Sequence, residues 1–442
     1  MSWLRASRRS FTRSLGCLFV WLGSPAGAAL LLALPLLIVA GVSGLSFAPQ
    51  TDEVKYHLPV VRQFGAALPA VPIQDYRAAT TPLPYLLWGA WGRLFGYGLP
   101  ALRALTLLLS YAGFVATYTL MRRQGLTRPL LATLLLVFAP YVFLNSFTVY
   151  TVNVGLPFAA LALIGYLDAA QGRAGWPALL WSGLAAAAAV YCRQHYLFLP
   201  AGMALAWALG CWRRRRLTWA DARDAALIAL PALAFAPLLI VWRGVTPPAL
   251  QALQPLRLSV EHINFLAVLV GLYFAPAALA AWPALARHGW RAAWLLAGVP
   301  LYVAFAPQFR GATDALAGAE QGIIAHGLEL LSERVGPLLP ALAQFALWVN
   351  GVAVLAAGLL WPAERGRSAD LRPAALWGMV GAFGLMLLAS DYVGERFYAL
   401  IWPVLLLLLY PPVSRRRALC WLWLAATAGA GVAYSILKMR GG

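Results

Sequence analysis

The sequence predicts an all-α, polytopic membrane protein of about thirteen spans (about 11–14), on three observations. Of its 442 residues, 62% are hydrophobic and 11% charged. A soluble domain averages about 45–50% and about 25%. The mean hydropathy is +0.73. The apolar residues also fall into runs of about 17–25, the length that crosses a bilayer as a helix. An apolar excess of this size has to face lipid, where helices alone satisfy every backbone group within one segment.

The runs lie near 26–47, 100–121, 129–147, 151–169, 176–192, 196–212, 224–242, 263–286, 292–308, 338–361, 374–390, 397–413 and 418–437. The first follows a basic N-terminus and resembles a secretory leader. It is long enough to span, no small-residue cleavage site follows it, and it reads as a retained helix. Residues 1–442 therefore read as a single membrane domain with no separate soluble domain. The long intervening stretches are 48–99, about 243–262 and 309–337. The first is an outer loop whose apolar stretch 83–97 suits a short helix lying along the interface; 309–337 is a second outer loop region. The 39 glycines and 30 prolines imply bent and broken helices, which neighbouring helices accommodate in a membrane interior. No internal repeat marks inverted halves.

A net charge of +19 raises nucleic acid as a partner, and the distribution excludes it. The arginines form short clusters between apolar runs: Arg5 to Arg13, Arg122 to Arg128, Arg213–Arg216, Arg287 with Arg291, Arg365 to Arg372, and Arg415–Arg417. Such clusters mark the cytoplasmic ends of membrane helices. They place the N-terminus inside, and the partner they imply is anionic lipid. Thirteen spans then put the C-terminus, with Lys438 and Arg440, outside. Abundant Arg and Ala with two lysines point to a GC-rich bacterial genome, hence a bacterial inner membrane.

No CxxC or HExxH spacing suggests a metal. Acidic residues are scarce, so each is informative. Asp168, Asp221, Asp224, Glu364 and Asp370 fall on the cytoplasmic side, where a solvated surface role is expected. Just past the first run stands Asp52-Glu53-Val54-Lys55-Tyr56-His57. Adjacent carboxylates repel and interfacial desolvation is costly, so one can keep a raised pKa and serve as general base while the other holds a hydroxyl. A charged helix end is the alternative. Arg193-Gln194-His195 lies in a tight turn on the outer side, against the positive-inside trend, where an arginine binds an anion or snorkels to a headgroup. Asp391 to Tyr398 forms a third polar knot, either a Glu395–Arg396 cap or a further anion contact. Tyr150-Thr151-Val152-Asn153 sits at another outer junction. These knots share one face of the membrane, and carboxylate with arginine and histidine suits a substrate carrying phosphate and hydroxyls.

At these residues the sequence resembles the GT-C fold glycosyltransferases. Asp52-Glu53, Thr80-Thr81-Pro82-Leu83-Pro84-Tyr85, Leu94-Phe95-Gly96 and Leu102-Arg103 follow the general order of that class. This part is also similar to protein mannosyltransferases and the lipid A aminoarabinose transferase. Closer still is the dolichyl-phosphate-glucose-dependent α-1,2-glucosyltransferase family, through Asp52-Glu53, Tyr56-His57, Pro59, Thr80-Thr81-Pro82, Arg193-Gln194 and Asp391 with Arg396-Phe397-Tyr398. Val152-Asn153 and His195-Tyr196 depart from its pattern.

The resemblance implies an inverting hexosyltransferase that takes a sugar from a polyprenyl-phosphate donor on the non-cytoplasmic face. The acceptor is a glycan, lipid or protein. It casts Asp52 as general base with Glu53 beside it, and Arg193, His195 and Arg396 as donor-phosphate ligands. Tyr56, His57, Asp75, Asn153, Gln194, Asp391 and Tyr398 would position substrate. No cofactor or essential metal is expected, although isolated carboxylates can hold Mg²⁺ or Mn²⁺. The alternative on the same residues is a transporter or flippase of lipid-linked saccharides.

Overall fold

The computed structural model describes residues 24–251, 258–287, 293–307, 323–364, 370–389 and 394–441, and every regular element among them is helical. Helix α1 (Pro25–Ser43) opens at Ser24, whose hydroxyl accepts the Gly27 N–H. It stops at Gly44, left-handed at φ 56°, whose N–H returns to the Ala40 carbonyl. Glycine is needed at that φ, and the bond satisfies an end carbonyl. Leu30, Leu34, Leu37 and Ile38 of α1 are each about half exposed, the pattern of a lipid-facing helix.

After one π-helical turn (Glu53–His57) come α2 (Leu58–Ala67), α3 (Leu83–Phe95) and α4 (Leu99–Arg123). Val60, Val61 and Phe64 of α2 and Tyr85 and Trp88 of α3 are buried, so each short helix commits one face to the bundle. Then follow α5 (Pro129–Val137), α6 (Pro140–Asn145), α7 (Thr151–Val154), α8 (Leu156–Ala170), α9 (Trp176–Cys192), α10 (Phe198–Arg214), α11 (Trp219–Trp242) and α12 (Pro248–Gln251). The remainder is α13 (Glu261–Tyr273), α14 (Ala275–Arg287), α15 (Ala293–Ala304), α16 (Ile323–Val335), α17 (Leu338–Glu364), α18 (Arg372–Leu388), α19 (Trp402–Leu409), α20 (Pro411–Ser414) and α21 (Arg417–Gly441).

Among the described residues six helices are long and apolar enough to cross a bilayer, seven if α13 and α14, bent by 101°, count as one span. Two shorter apolar helices are α9 and α18. Several predicted runs are broken. The run 129–147 is two helices because Pro140 restarts the chain after Val137. The run 397–413 opens as a 3₁₀ turn (Glu395–Ile401) before α19. The segment Thr151–Ala170 is the central one, with 72% of its apolar window buried against 22% for α1. Helices α13 and α17 meet backbone to backbone: a Cβ on Gly271 would lie 1.8 Å from the Leu347 carbonyl oxygen, and one on Gly351 1.8 Å from that of Ala267. Small residues at such contacts are how membrane helices approach closely.

The polar groups mark two ends of the bundle. At one end Arg123 and Arg173 pair with Asp168, Arg214 with Asp221, and Arg128 donates to the Ser414 carbonyl. The Arg128 bond ties the Arg122 to Arg128 cluster to the segment just before Arg415–Arg417. Asp168 and Asp221, expected to be solvated, are only 5% and 8% exposed. The arginines that pair with them stay about half exposed, so the basic groups do mark a surface and cover the two carboxylates, and Asp221 also caps α11 through Thr218. At the other end, the Gln50 amide donates to the Lys438 carbonyl (3.0 Å). The C-terminal helix thus finishes beside the first loop.

Candidate active site

The site is built where α1, the π turn, the 148–150 linker, the α9–α10 turn and the 3₁₀ turn before α19 converge. Its floor is an ion pair. Arg103, near the start of α4, donates from Nε to Glu53 Oε1 (3.0 Å) and from Nη2 to Oε2 (2.5 Å). Neither side chain has any exposed surface. Glu53 also accepts the backbone N–H of Gln50 (2.8 Å) and of Val149 (2.7 Å). Arg103 fastens the end of α1 through the carbonyls of Leu45 (3.0 Å) and Phe47 (2.8 Å). Such a fork-on-fork pair, with its remaining groups bonded, is the form in which buried charge is tolerated. Glu53 is thereby committed to holding three chain segments together, a different use from the catalytic or substrate-holding role the dipeptide suggested.

Consecutive residues on a helix point about 100° apart, and Asp52 faces another way. Its Oδ2 accepts from the Tyr150 hydroxyl and pairs with Arg396 Nη2 at 2.8 Å. Arg396 Nη1 also donates to the Tyr150 hydroxyl, so that phenol bridges acid and base. Burial pushes the Asp52 carboxyl up, but Arg396, Tyr150 and His57 together outweigh it and hold Asp52 below its ordinary value. This corrects the expected raised pKa: Arg103 answers the charge of Glu53, and Asp52 has a cation of its own. Tyr150 is pushed well up by burial and stays a neutral phenol.

His57 Nδ1 lies 2.9 Å from the Tyr85 hydroxyl, which lies 2.8 Å from Thr80 Oγ1. Burial, opposed by the Asp52 carboxylate, pushes His57 down to about 4, so the ring is neutral at pH 7. The Thr-Thr-Pro stretch is a clasp: Thr81 Oγ1 donates to the Val190 carbonyl (2.8 Å), and Gln194 Nε2 donates to that of Ala79 (2.8 Å). It fixes the end of α9, and with it Arg193, against the first loop.

Arg193 is 4% exposed and lies over the Phe397 ring, 4.2 Å from its centroid. Its Nη1 donates to Thr151 Oγ1 (3.2 Å), and its Nε has no partner. Burial and then Arg396 lower it to about 10, so it remains a cation. Arg396 shares the Phe397 ring from 5.4 Å. His195 stacks near the same ring at 5.6 Å, and burial with Arg193 pushes it down to about 3. With both histidines neutral, the Asp52 carboxylate lies among the described residues beside the Arg396 and Arg193 guanidiniums.

The structure therefore brings Asp52, His57, Arg193, Gln194, His195 and Arg396 together. Other predicted residues lie elsewhere. Tyr56 is partly exposed beside Lys55, whose Nζ is 5.3 Å from its ring. Asp75 is exposed and accepts the Ala249 N–H (3.0 Å). The Asn153 amide is a core bolt, donating to Val142 O (2.8 Å), Ser146 Oγ (3.0 Å) and Ser110 Oγ (3.2 Å). Tyr398 donates to the His262 carbonyl (2.9 Å) and packs on Phe265. Asp391 lies outside the described residues. Tyr150, Arg103 and Tyr85 are participants whose central place the sequence alone does not mark. Glu395 accepts from the Tyr141 hydroxyl (2.9 Å) and from the N–H groups of Ile323 (3.1 Å) and Ile324 (2.9 Å), docking α16 beside the site. Among the described residues no three His, Cys, Asp or Glu side chains converge as metal ligands. An ionised acid, a bridging phenol and surplus positive charge can deprotonate a hydroxyl and hold an oxyanion.

No known family profile matches the sequence, and no curated protein matches it. Among solved structures the chain is similar to the apo crystal structure of ArnT from Cupriavidus metallidurans, at 15% identity and a TM-score of 0.40, over 94% of this chain and 77% of that one.

Proposed function

We propose that the protein is a membrane glycosyltransferase of the GT-C type, which moves a hexosyl group from a polyprenyl-phosphate carrier to an acceptor hydroxyl. The observation that carries this reading is the buried Arg193, with one hydrogen bond and an unpartnered Nε, beside the Asp52–Tyr150–Arg396 cluster. A guanidinium withdrawn from water with its donors unused is costly unless an anion completes it. Near a protein surface a unit charge at 4 Å is worth about 4 kcal/mol.

The donor's phosphate binds against Arg193 and Arg396. In drawing Arg396 toward itself it takes that cation from Asp52, whose carboxylate then becomes a stronger base. Asp52 accepts the acceptor hydroxyl's proton as the new C–O bond forms at the anomeric carbon. The C–O bond to phosphate breaks with inversion, and its electron pair leaves with polyprenyl phosphate. Phosphate departs as an anion, so the demand is for positive charge and not for a general acid. Tyr150 holds Asp52 and Arg396 in register. The site lies on the non-cytoplasmic face of a bacterial inner membrane, given the basic clusters at the opposite end. The transporter reading draws on the same arginines but calls for ionisable groups deep within the helices. The described ion pairs gather at the two ends of the bundle, which supports the enzyme.

The test is Asp52→Asn assayed with a panel of polyprenyl-phosphate hexoses. Transfer should fall about 10²–10⁴-fold, the usual contribution of a general base. Full activity in the folded variant would sink the assignment.

A further inference from the structure

A narrow hollow of about 10 Å³, room for one water-sized group such as a single oxyanion oxygen, adjoins the Asp52 cluster and shares Tyr150 and Arg396 with it, but not Arg193. Its other walls are Gln50, Asn145, Thr148, Tyr434 and Lys438, with Tyr141 and Leu144 completing it. Among the described residues no carboxylate lines it. Asn145 is 3% exposed, yet its Nδ2 donates to nothing. Lys438 is partly buried at the end of α21, and Gln50 holds its backbone carbonyl. Among the described residues no carboxylate pairs with the Lys438 ammonium. With the Arg396 charge answered by Asp52, the Lys438 ammonium, the Asn145 amide donor and the phenols still repel a cation from this hollow. They complement an oxyanion.

We propose that this cleft is a second oxyanion subsite, built on Lys438 and Asn145, for a phosphate or carboxylate carried by one of the two substrates. It rests on the glycosyl-transfer reading and extends it: besides the donor phosphate held by Arg193, the protein grips a second anionic group. If the acceptor carries that group, the acceptor is itself an anionic amphiphile. If the donor carries it, the donor is held at two charged points.

The experiment uses the full-length protein in phosphatidylcholine nanodiscs, titrated separately with polyprenyl monophosphate, phosphatidylglycerol and inorganic phosphate. Wild type is compared with Lys438→Met, Lys438→Arg, Asn145→Leu and Arg193→Ala, and melting temperature checks folding. Removing a charged partner should weaken the cleft's probe by about tenfold or more, and Lys438→Arg should restore most of it. Loss for phosphatidylglycerol or inorganic phosphate with polyprenyl phosphate unaffected assigns the cleft to the acceptor. Loss for polyprenyl phosphate in both Lys438→Met and Arg193→Ala assigns it to the donor. Affinities within twofold of wild type for all three probes, in folded Lys438→Met and Asn145→Leu, overturn the proposal. Absence of transfer from every polyprenyl-phosphate sugar, with Lys438-dependent binding intact, overturns the glycosyl-transfer reading alone.

Discussion

Replacing Glu53 with glutamine or alanine should loosen the first loop before it affects chemistry. The carboxylate answers Arg103 through two contacts of 3.0 and 2.5 Å, and both side chains are fully buried. Removing one member of such a pair strands the other charge, at about 3–5 kcal/mol. Alanine also abandons the N–H groups of Gln50 and Val149, at about 1–3 kcal/mol for each that water cannot reach. Graded-denaturant unfolding in detergent micelles would read the loss. Glu53→Gln should cost several kcal/mol, Glu53→Ala more, and the double variant Glu53→Leu/Arg103→Met should recover most of the difference. That recovery is the coupling a double-mutant cycle isolates. If Glu53→Gln unfolds like wild type yet abolishes transfer, Glu53 is a reacting group and the scaffolding account of it is wrong.

Tyr150→Phe deletes the hydroxyl that lowers Asp52; the acid limb of kcat/KM should move to higher pH, and an unshifted limb would deny the bridge a role. Arg193→Ala should weaken polyprenyl-phosphate binding by about tenfold or more with little change in melting, since it removes an unsatisfied charge and one bond to Thr151; equal affinity counts against the phosphate role. His57 is held at about 4 in the fold against 6.5 unfolded. The unfolded chain therefore takes up the proton first, and stability present above pH 6.5 is lost as pH falls toward 4, at about 1.4 kcal/mol per unit. Melting between pH 7 and 5 should show this slope and His57→Gln should flatten it; the same slope in the variant would assign it to another group. Gly351→Val drives a Cβ onto the Ala267 carbonyl and should cost at least about 1–3 kcal/mol, read as a lower melting temperature.

How much of this was legible in the sequence differs from residue to residue, for physical reasons. Hydropathy exposed the helical membrane class because lipid imposes its demand locally, on each run of residues. It did not expose the interruptions. Pro140 inside one run is a visible breaker, but the 101° bend between α13 and α14 and the 3₁₀ turn at Glu395–Ile401 depend on packing partners far along the chain. At the site, Asp52, Arg193 and Arg396 stood out because charge is rare and conspicuous beside apolar runs. Glu53 stood out for the same reason, and its use was invisible: Arg103 lies 50 residues away. Tyr150 hid in the opposite way, since a phenol is unremarkable until Asp52 and Arg396 close on it. Tyr56 and His57 looked alike as neighbours of the acid pair. The π turn sends His57 inward to Tyr85 and leaves Tyr56 partly exposed.

In the proposed mechanism Arg193 and Arg396 receive a donor phosphate, and its arrival frees Asp52. An experimental structure of the full-length protein with bound polyprenyl monophosphate tests it most directly. The phosphate should lie within hydrogen-bond reach of both guanidiniums, with Arg396 drawn away from its 2.8 Å contact to Asp52. A phosphate seated elsewhere, with the Asp52–Tyr150–Arg396 cluster intact and Arg193 still bonded to Thr151 alone, would contradict it.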